Sequence, residues 1–204
     1  VIINTCGFID SAKSEAIDNI LAMAELKAAG VIGKILVTGC LSQRYRDEIL
    51  RELPEVDGVL GTGSYGQIVS AVDGLLAERS VSEFGDIDAP VDEVGRVLTT
   101  PSYYAYLKIA EGCDNRCSYC VIPSLRGRYR SRRMEDCLYE ARMLADDGVK
   151  ELIVVAQDTS RYGIDLYGEH KLAELLRELC KIEKLHWVRV HYLDPDELDD
   201  ELLE

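Results

Sequence analysis

The sequence contains no apolar run long enough to cross a bilayer. Runs such as Leu152-Ile153-Val154-Val155-Ala156 fall far short of the ~20 residues a spanning helix needs. Nor is there an excess of positive charge. The net charge is −14, which speaks against a nonspecific nucleic-acid coat. Proline is sparse, at five residues, and with sixteen glycines this indicates ordinary turn usage rather than low complexity. Histidine is scarcer still. His170 and His186 read as surface residues at element margins, while His191 alternates with Arg189 on a strand and is expected to point inward. The cysteine count is seven, an odd number, with three inside one eight-residue stretch. An oxidised, secreted framework favours even, dispersed cysteines, so a reducing compartment (the cytoplasm) and a metal site are the better reading.

What is present is a globular composition with α/β rhythm. Val1-Ile2-Ile3 reads as a short buried strand running into Asn4-Thr5-Cys6-Gly7. The next helix takes Asp10 or Ser11 as N-cap and turns Ile17, Ile20, Leu21 and Ala24 to one face. Residues 34–38 form the next strand, a helix runs from Tyr45 to Leu53, Val59-Leu60 begins a third strand, and Ile68 to Leu76 form another helix. The pattern predicts a parallel α/β sandwich over residues 1–80. Residues 81–101 carry five acids against one base, Arg96, and read as an acidic linker with a short strand near Val97-Leu98. From 102 to 204 the rhythm restarts: strands at 104–109, 152–156 and 187–192, and helices at 134–146 and around Leu172, Leu175, Leu176 and Leu179. Three strands with crossover helices suggest the first half of a (β/α) barrel. Both chain ends read as cut, since Val1 already lies in a strand and Glu204 in a helical pattern.

The strongest chemical signal is Cys113-Asp-Asn-Arg-Cys117-Ser-Tyr-Cys120, in a loop after a strand. Gly112 allows close backbone approach, and the spacing lets three thiolates converge. Soft thiolates select zinc or iron–sulfur clusters. A structural zinc site wants a fourth Cys or His, and the surrounding loop has none. Three thiolates on a cubane leave one iron open to a ligand. Cys137 and Cys180 lie in step with the apolar residues of their helices and read as core. Five arginines follow the loop within residues 126–133; Arg126 and Arg132 offer guanidinium forks suited to a carboxylate. Gln157 and Asp158 end a strand at the position where barrels carry site residues, with helix capping by Asp158 or Thr159 as the structural alternative.

The Cys-x3-Cys-x2-Cys motif with Tyr119 before its last cysteine resembles the radical-AdoMet superfamily. The stretches 108–113, 121–127 and 131–132, with Asn4-Thr5-Cys6-Gly7-Phe8-Ile9 and Thr38-Gly39-Cys40, resemble the methylthiotransferase family within it. That resemblance implies two 4Fe-4S clusters and S-adenosyl-L-methionine (AdoMet). One cluster would sit on Cys113, Cys117 and Cys120 and bind AdoMet through its open iron, with Tyr119, Gln157, Asp158, Arg126 and Arg132 around the cofactor. Its reduction would release a 5′-deoxyadenosyl radical that takes hydrogen from an unactivated carbon. A second cluster would use Cys6 and Cys40, with the family's third cysteine expected upstream.

Two substrate branches follow from the resemblance: an aspartate of ribosomal protein twelve of the small subunit, or isopentenyladenosine in tRNA. Residues 157–163 and 6–12 look like the ribosomal-protein branch, and the acidic charge suits a basic protein partner. The resemblance also implies a low-potential electron donor and a sulfur donor. A non-catalytic iron–sulfur electron carrier and a zinc-binding interaction module are the readings from other classes.

Overall fold

A computed structural model describes residues 1–90, 95–198 and 200–203. Contacts divide the chain into two units: Val1–Ala89 with Arg116–Gly127, and Pro90–Asn115 with Arg128–Glu204. In chain order the first stretch contributes β1 (Ile2–Thr5), α1 (Asp10–Ala28), β2 (Leu36–Gly39), α2 (Cys40–Tyr45), α3 (Asp47–Glu52), β3 (Gly58–Leu60), α4 (Ile68–Leu76) and β4 (Val81–Glu83). There follow β5 (Tyr104–Lys108), β6 (Ala110–Glu111), α5 (Ile122–Arg126), β7 (Arg130–Ser131), α6 (Met134–Asp146), β8 (Glu151–Val155), α7 (Ile164–Tyr167), α8 (Leu172–Cys180), β9 (Trp187–Val190) and α9 (Asp200–Leu203). Among the described residues no helix is long and apolar enough to cross a membrane.

The first unit is built on a parallel sheet in the order β1-β2-β3-β4. Side chains alternate across it, as the two-residue period of a strand dictates. Ile35, Val37 and Val59 face α1 through Ala16, Ile20 and Ala24. Leu36, Leu60 and Val81 face α4 through Ala71 and Leu75. Both faces are therefore covered, and the central strands read as continuous apolar runs. Each fully buried Ile, Leu or Val side chain among them contributes about 1.5–3 kcal/mol. Asp57 pins the start of β2: its carboxylate accepts from the Ile35 amide (2.8 Å) and pairs with Lys27 (2.6 Å).

Three local expectations change. Asp10 and Ser11 do not cap α1; Ile9 holds the cap position, and Asp10 lies in the first turn paired with Lys13. The helix expected from Tyr45 to Leu53 is two, broken where Arg46 adopts a left-handed φ of 36°. The strand β4 lies inside the acidic stretch read as linker, because it gains its hydrogen bonds from β3, whereas residues 95–98 form no strand. Residues 91–94 of that stretch lie outside the described residues.

The second unit carries a parallel sheet in the order β5-β8-β9, joined by α6 and α8, and a two-stranded antiparallel pair, β6 with β7. Leu107, Leu152 and Val154 pack against Leu138, Ala141 and Leu144 of α6 and Leu175 and Leu179 of α8. This is the βαβ rhythm expected of a partial (β/α) barrel. Cys137 is fully buried, as expected of a core residue, but Cys180 is exposed. Leu175 and Leu179 take the buried stripe of α8, and the next residue is rotated about 100° away from it. His191, expected inward, is exposed as well, because β9 is an edge strand with half-open faces.

Candidate functional site

In the first unit, two thiols emerge at the carboxyl ends of neighbouring strands, where open α/β sheets place their ligands. The register pairs Thr5 with Gly39, so Cys6 and Cys40 each follow one member of an aligned pair. Cys6 is exposed and Cys40 half-buried. Backbone closeness holds this edge. Gly39 has a φ of 99°, and a Cβ on it would overlap the backbone of Thr5. A Cβ on Gly7 would lie 2.7 Å from the Cys40 carbonyl oxygen. Two side chains complete the frame: Ser42 Oγ donates to the carbonyls of Gly39 (2.9 Å) and Leu60 (2.6 Å), and Arg44 Nη1 donates to the Gly7 carbonyl (2.9 Å).

Residues 116–127 belong to the same unit. Cys117 and Cys120 bracket a turn closed by Cys120 N–H to the Cys117 carbonyl (3.0 Å), with Tyr119 at its tip, 83% exposed. The short helix α5 starts with Pro123 in its first turn and packs against α2. Thr62 Oγ1 donates to the Leu125 carbonyl at 2.5 Å. The Arg126 guanidinium then reaches Cys40: Nε lies 3.1 Å from Sγ, and its carbon stands 6.0 Å from the centre of the Tyr65 ring.

In the second unit, Cys113 is buried just past β6. Its backbone approach is set by a side-chain network. Gly112, at φ 83°, donates its N–H to Gln157 Oε1 (2.9 Å), and Gln157 Nε2 donates to Glu111 Oε1 (2.8 Å). Lys108 neutralises the other Glu111 oxygen at 2.8 Å. Asp158, also buried, accepts from Asn115 Nδ2 (2.8 Å) and Ser160 Oγ (2.5 Å). Thus Gln157 and Asp158 both grip the Cys113 loop, and neither caps a helix. Arg132 is buried as well, donating to the Lys108 carbonyl (2.6 Å) and to Glu140 (2.7 Å). Burial, and secondarily the Asp158 charge, push the Tyr129 phenol well above its ordinary value, so it stays protonated.

Glu111, Asn115 and Ser160 are site residues that sequence reasoning missed. A signal existed for Glu111, a carboxylate placed in the apolar exit of a strand directly before Gly112-Cys113; such a group is retained inside only with partners.

None of the seven cysteines is in a disulfide. Among the described residues no three His, Cys, Asp or Glu side chains are gathered closely enough to hold a metal ion. Cys113 belongs to the second unit, Cys117 and Cys120 to the first. By donor chemistry alone, three thiols with no histidine within residues 113–120 are the kind of ligand set an iron–sulfur cluster takes.

Residues 1–61 match a family described as uncharacterized protein family UPF0004, and residues 107–204 match the radical SAM superfamily. Proteins called ribosomal protein uS12 methylthiotransferase RimO align over the whole chain. The one from Clostridioides difficile is 51% identical, with 46% of its length covered, and that from Thermoanaerobacter sp. (strain X514) is 52% identical, with 47% covered. Over its whole length the chain is thus similar to methylthiotransferases, and over residues 107–204 to radical SAM proteins. It spans about half the length of these relatives. Among solved structures, the radical S-adenosylmethionine methyltransferase TsrM from Kitasatospora setae shares the fold. With cobalamin and a [4Fe-4S] cluster bound it aligns at a TM-score of 0.63 and 14% identity, covering 90% of this chain and 42% of that one. With tryptophan and a SAM analogue bound it aligns at 0.62 and 16% identity, covering 90% and 41%. Parallel sheets in an α/β arrangement, as expected from the sequence, are what the described residues display.

Proposed function

We propose that the protein containing this chain is a cytoplasmic methylthiotransferase that adds a methylthio group to the β-carbon of an aspartate in ribosomal protein uS12. The observation carrying this reading is the 51–52% identity, across every residue of the chain, to proteins bearing that activity in their names. Cys113, Cys117 and Cys120 would hold a 4Fe-4S cluster with AdoMet at its open iron, and Cys6 and Cys40 would contribute two ligands to a second. When bound, these groups supply reductive cleavage of AdoMet, radical hydrogen abstraction and the sulfur to be transferred. A low-potential electron donor and a sulfur donor would serve the reaction.

The chain's own residues do the positioning. Glu111 and Gln157 orient Gly112 and therefore the Cys113 thiol, while Asp158 holds Asn115 and keeps the loop closed on its strand. Tyr119, at the exposed tip of the Cys117–Cys120 turn, would lie beside the cofactor rather than in a core. Cys113 is buried, which would keep water from that ligand. Arg132 stays with Glu140, anchoring α6 to the end of β5.

The test is the intact mass of small-subunit ribosomal proteins from a host deleted for the full-length gene, with and without the gene restored. Loss of one methylthio group from uS12 alone, regained on complementation, is the expected result. Unchanged uS12 together with loss of a methylthio nucleoside from tRNA would overturn it.

A further inference from the structure

The sequence offers Arg126 as a clamp for a carboxylate; the structure brings its Nε to a thiol. We propose that Arg126 is a positioning residue for the Cys40 thiolate, a hydrogen-bond donor that sets the reduction potential of the centre Cys40 ligates. The inference rests on the reading of Cys40 as a ligand of the second cluster.

Three observations carry it. The first is the contact, Nε to Sγ at 3.1 Å, well within reach of an N–H···S bond. A guanidinium is permanently charged, and its planar fork aims its donors, so with a thiolate the bond is charge-assisted. The second is that both partners are held independently. Arg126 ends α5, whose Leu125 carbonyl is bound by Thr62 and whose helix is closed by Gly127 N–H to the Pro123 carbonyl at 3.0 Å. Cys40 opens α2 directly after Gly39, which only a glycine-like backbone can occupy, and Ser42 ties that corner to β2 and β3. The third is the chain path. Arg126 closes the same segment that carries Cys117 and Cys120, so within the first unit one side chain ties that segment to Cys40.

A donor to a ligand sulfur favours the reduced, more negative cluster and raises its potential. Removing the donor must therefore lower it. If Arg126 only packed α5 against α2, its loss would change stability and leave the potential where it was.

The experiment uses the full-length protein with Cys113, Cys117 and Cys120 replaced by alanine, loaded with iron and sulfide and titrated with reductant under EPR. Against this parent, R126Q is expected to weaken reduction of the cluster about tenfold, a fall of about 59 mV for one electron. R126K, which keeps a charged donor, recovers most of that shift. Should R126Q fail to fold, T62V decides: by releasing the Leu125 carbonyl it loosens Arg126 and lowers the potential by a smaller amount. A loaded cluster with unchanged potential in the folded variants overturns the inference, as does an R126Q holoenzyme that loses AdoMet affinity while keeping the parent potential. A parent that takes up no iron and sulfide overturns the reading of Cys40 as a ligand, and the inference with it.

Discussion

The two units hold a thiol beyond a strand in different ways. In the first, Cys6 and Cys40 are placed by backbone against backbone, with Gly7 and Gly39 keeping the strand exits too close for any side chain. In the second, Cys113 is placed by side chains, through the chain Lys108–Glu111–Gln157–Gly112 and the pair Asn115–Asp158. Backbone contact is rigid and tolerates no added atom. A hydrogen-bonded network tolerates substitution but loosens gradually. The same kind of site therefore fails abruptly in one unit and by degrees in the other.

The largest expected effect is at Gly39. Alanine there meets both a left-handed φ of 99° and the Thr5 backbone, so G39A should cost about 3 kcal/mol or more. Chemical denaturation of the full-length protein checks it, with β1 and β2 separating first in hydrogen exchange. A loss under 1 kcal/mol would show that the edge can relax, and the contrast between the units would vanish. Q157L is the counterpart in the second unit. It strands the Gly112 amide and removes one partner of Glu111, at about 1–3 kcal/mol. The change should be local: Gly112 exchanges its amide faster, by roughly ten- to a hundredfold, while β8 next to it stays protected. Global unfolding of the second unit in Q157L would contradict a network that yields by degrees.

Much of this architecture is legible in the sequence because burial writes it there. The runs at 35–37 and 152–155 are apolar without interruption, as strands covered on both faces must be, and α6 and α8 show helical periodicity. The three-cysteine spacing and the family resemblance single out the thiols as candidate ligands. What the sequence hides is whatever depends on a distant partner. The strand β4 is three residues of mixed polarity, made a strand only by β3. The break at Arg46 has no glycine or proline to announce it. Cys137 and Cys180 look alike in a helical pattern, yet one is fully buried and the other exposed, because a single position at a helix end rotates off the core face. Arg126 and Cys40 stand 86 residues apart in sequence, and no local pattern joins them.

The smallest effect separates strand ends of opposite kind within the first unit. The carboxyl edge is held by glycines, whereas the amino edge is held by charge, with Asp57 accepting from the Ile35 amide and pairing with Lys27 and Lys34. Burial alone would raise the Asp57 carboxyl. The Lys27 hydrogen bond, the Ile35 amide and the Lys34 charge outweigh it and hold the group below the usual carboxylate range. A folded-state value below the unfolded one stabilises the fold above the unfolded pKa of about 3.9, and that stability is lost as pH falls through the folded value. D57N should therefore cost about 1 kcal/mol near neutral pH, and the gap to the parent should close steadily below about pH 4. Urea melts at several pH values check the sign. A gap that widened in acid would mean that Asp57 is held neutral, and that the amino edge, like the carboxyl edge, is secured by packing instead of charge.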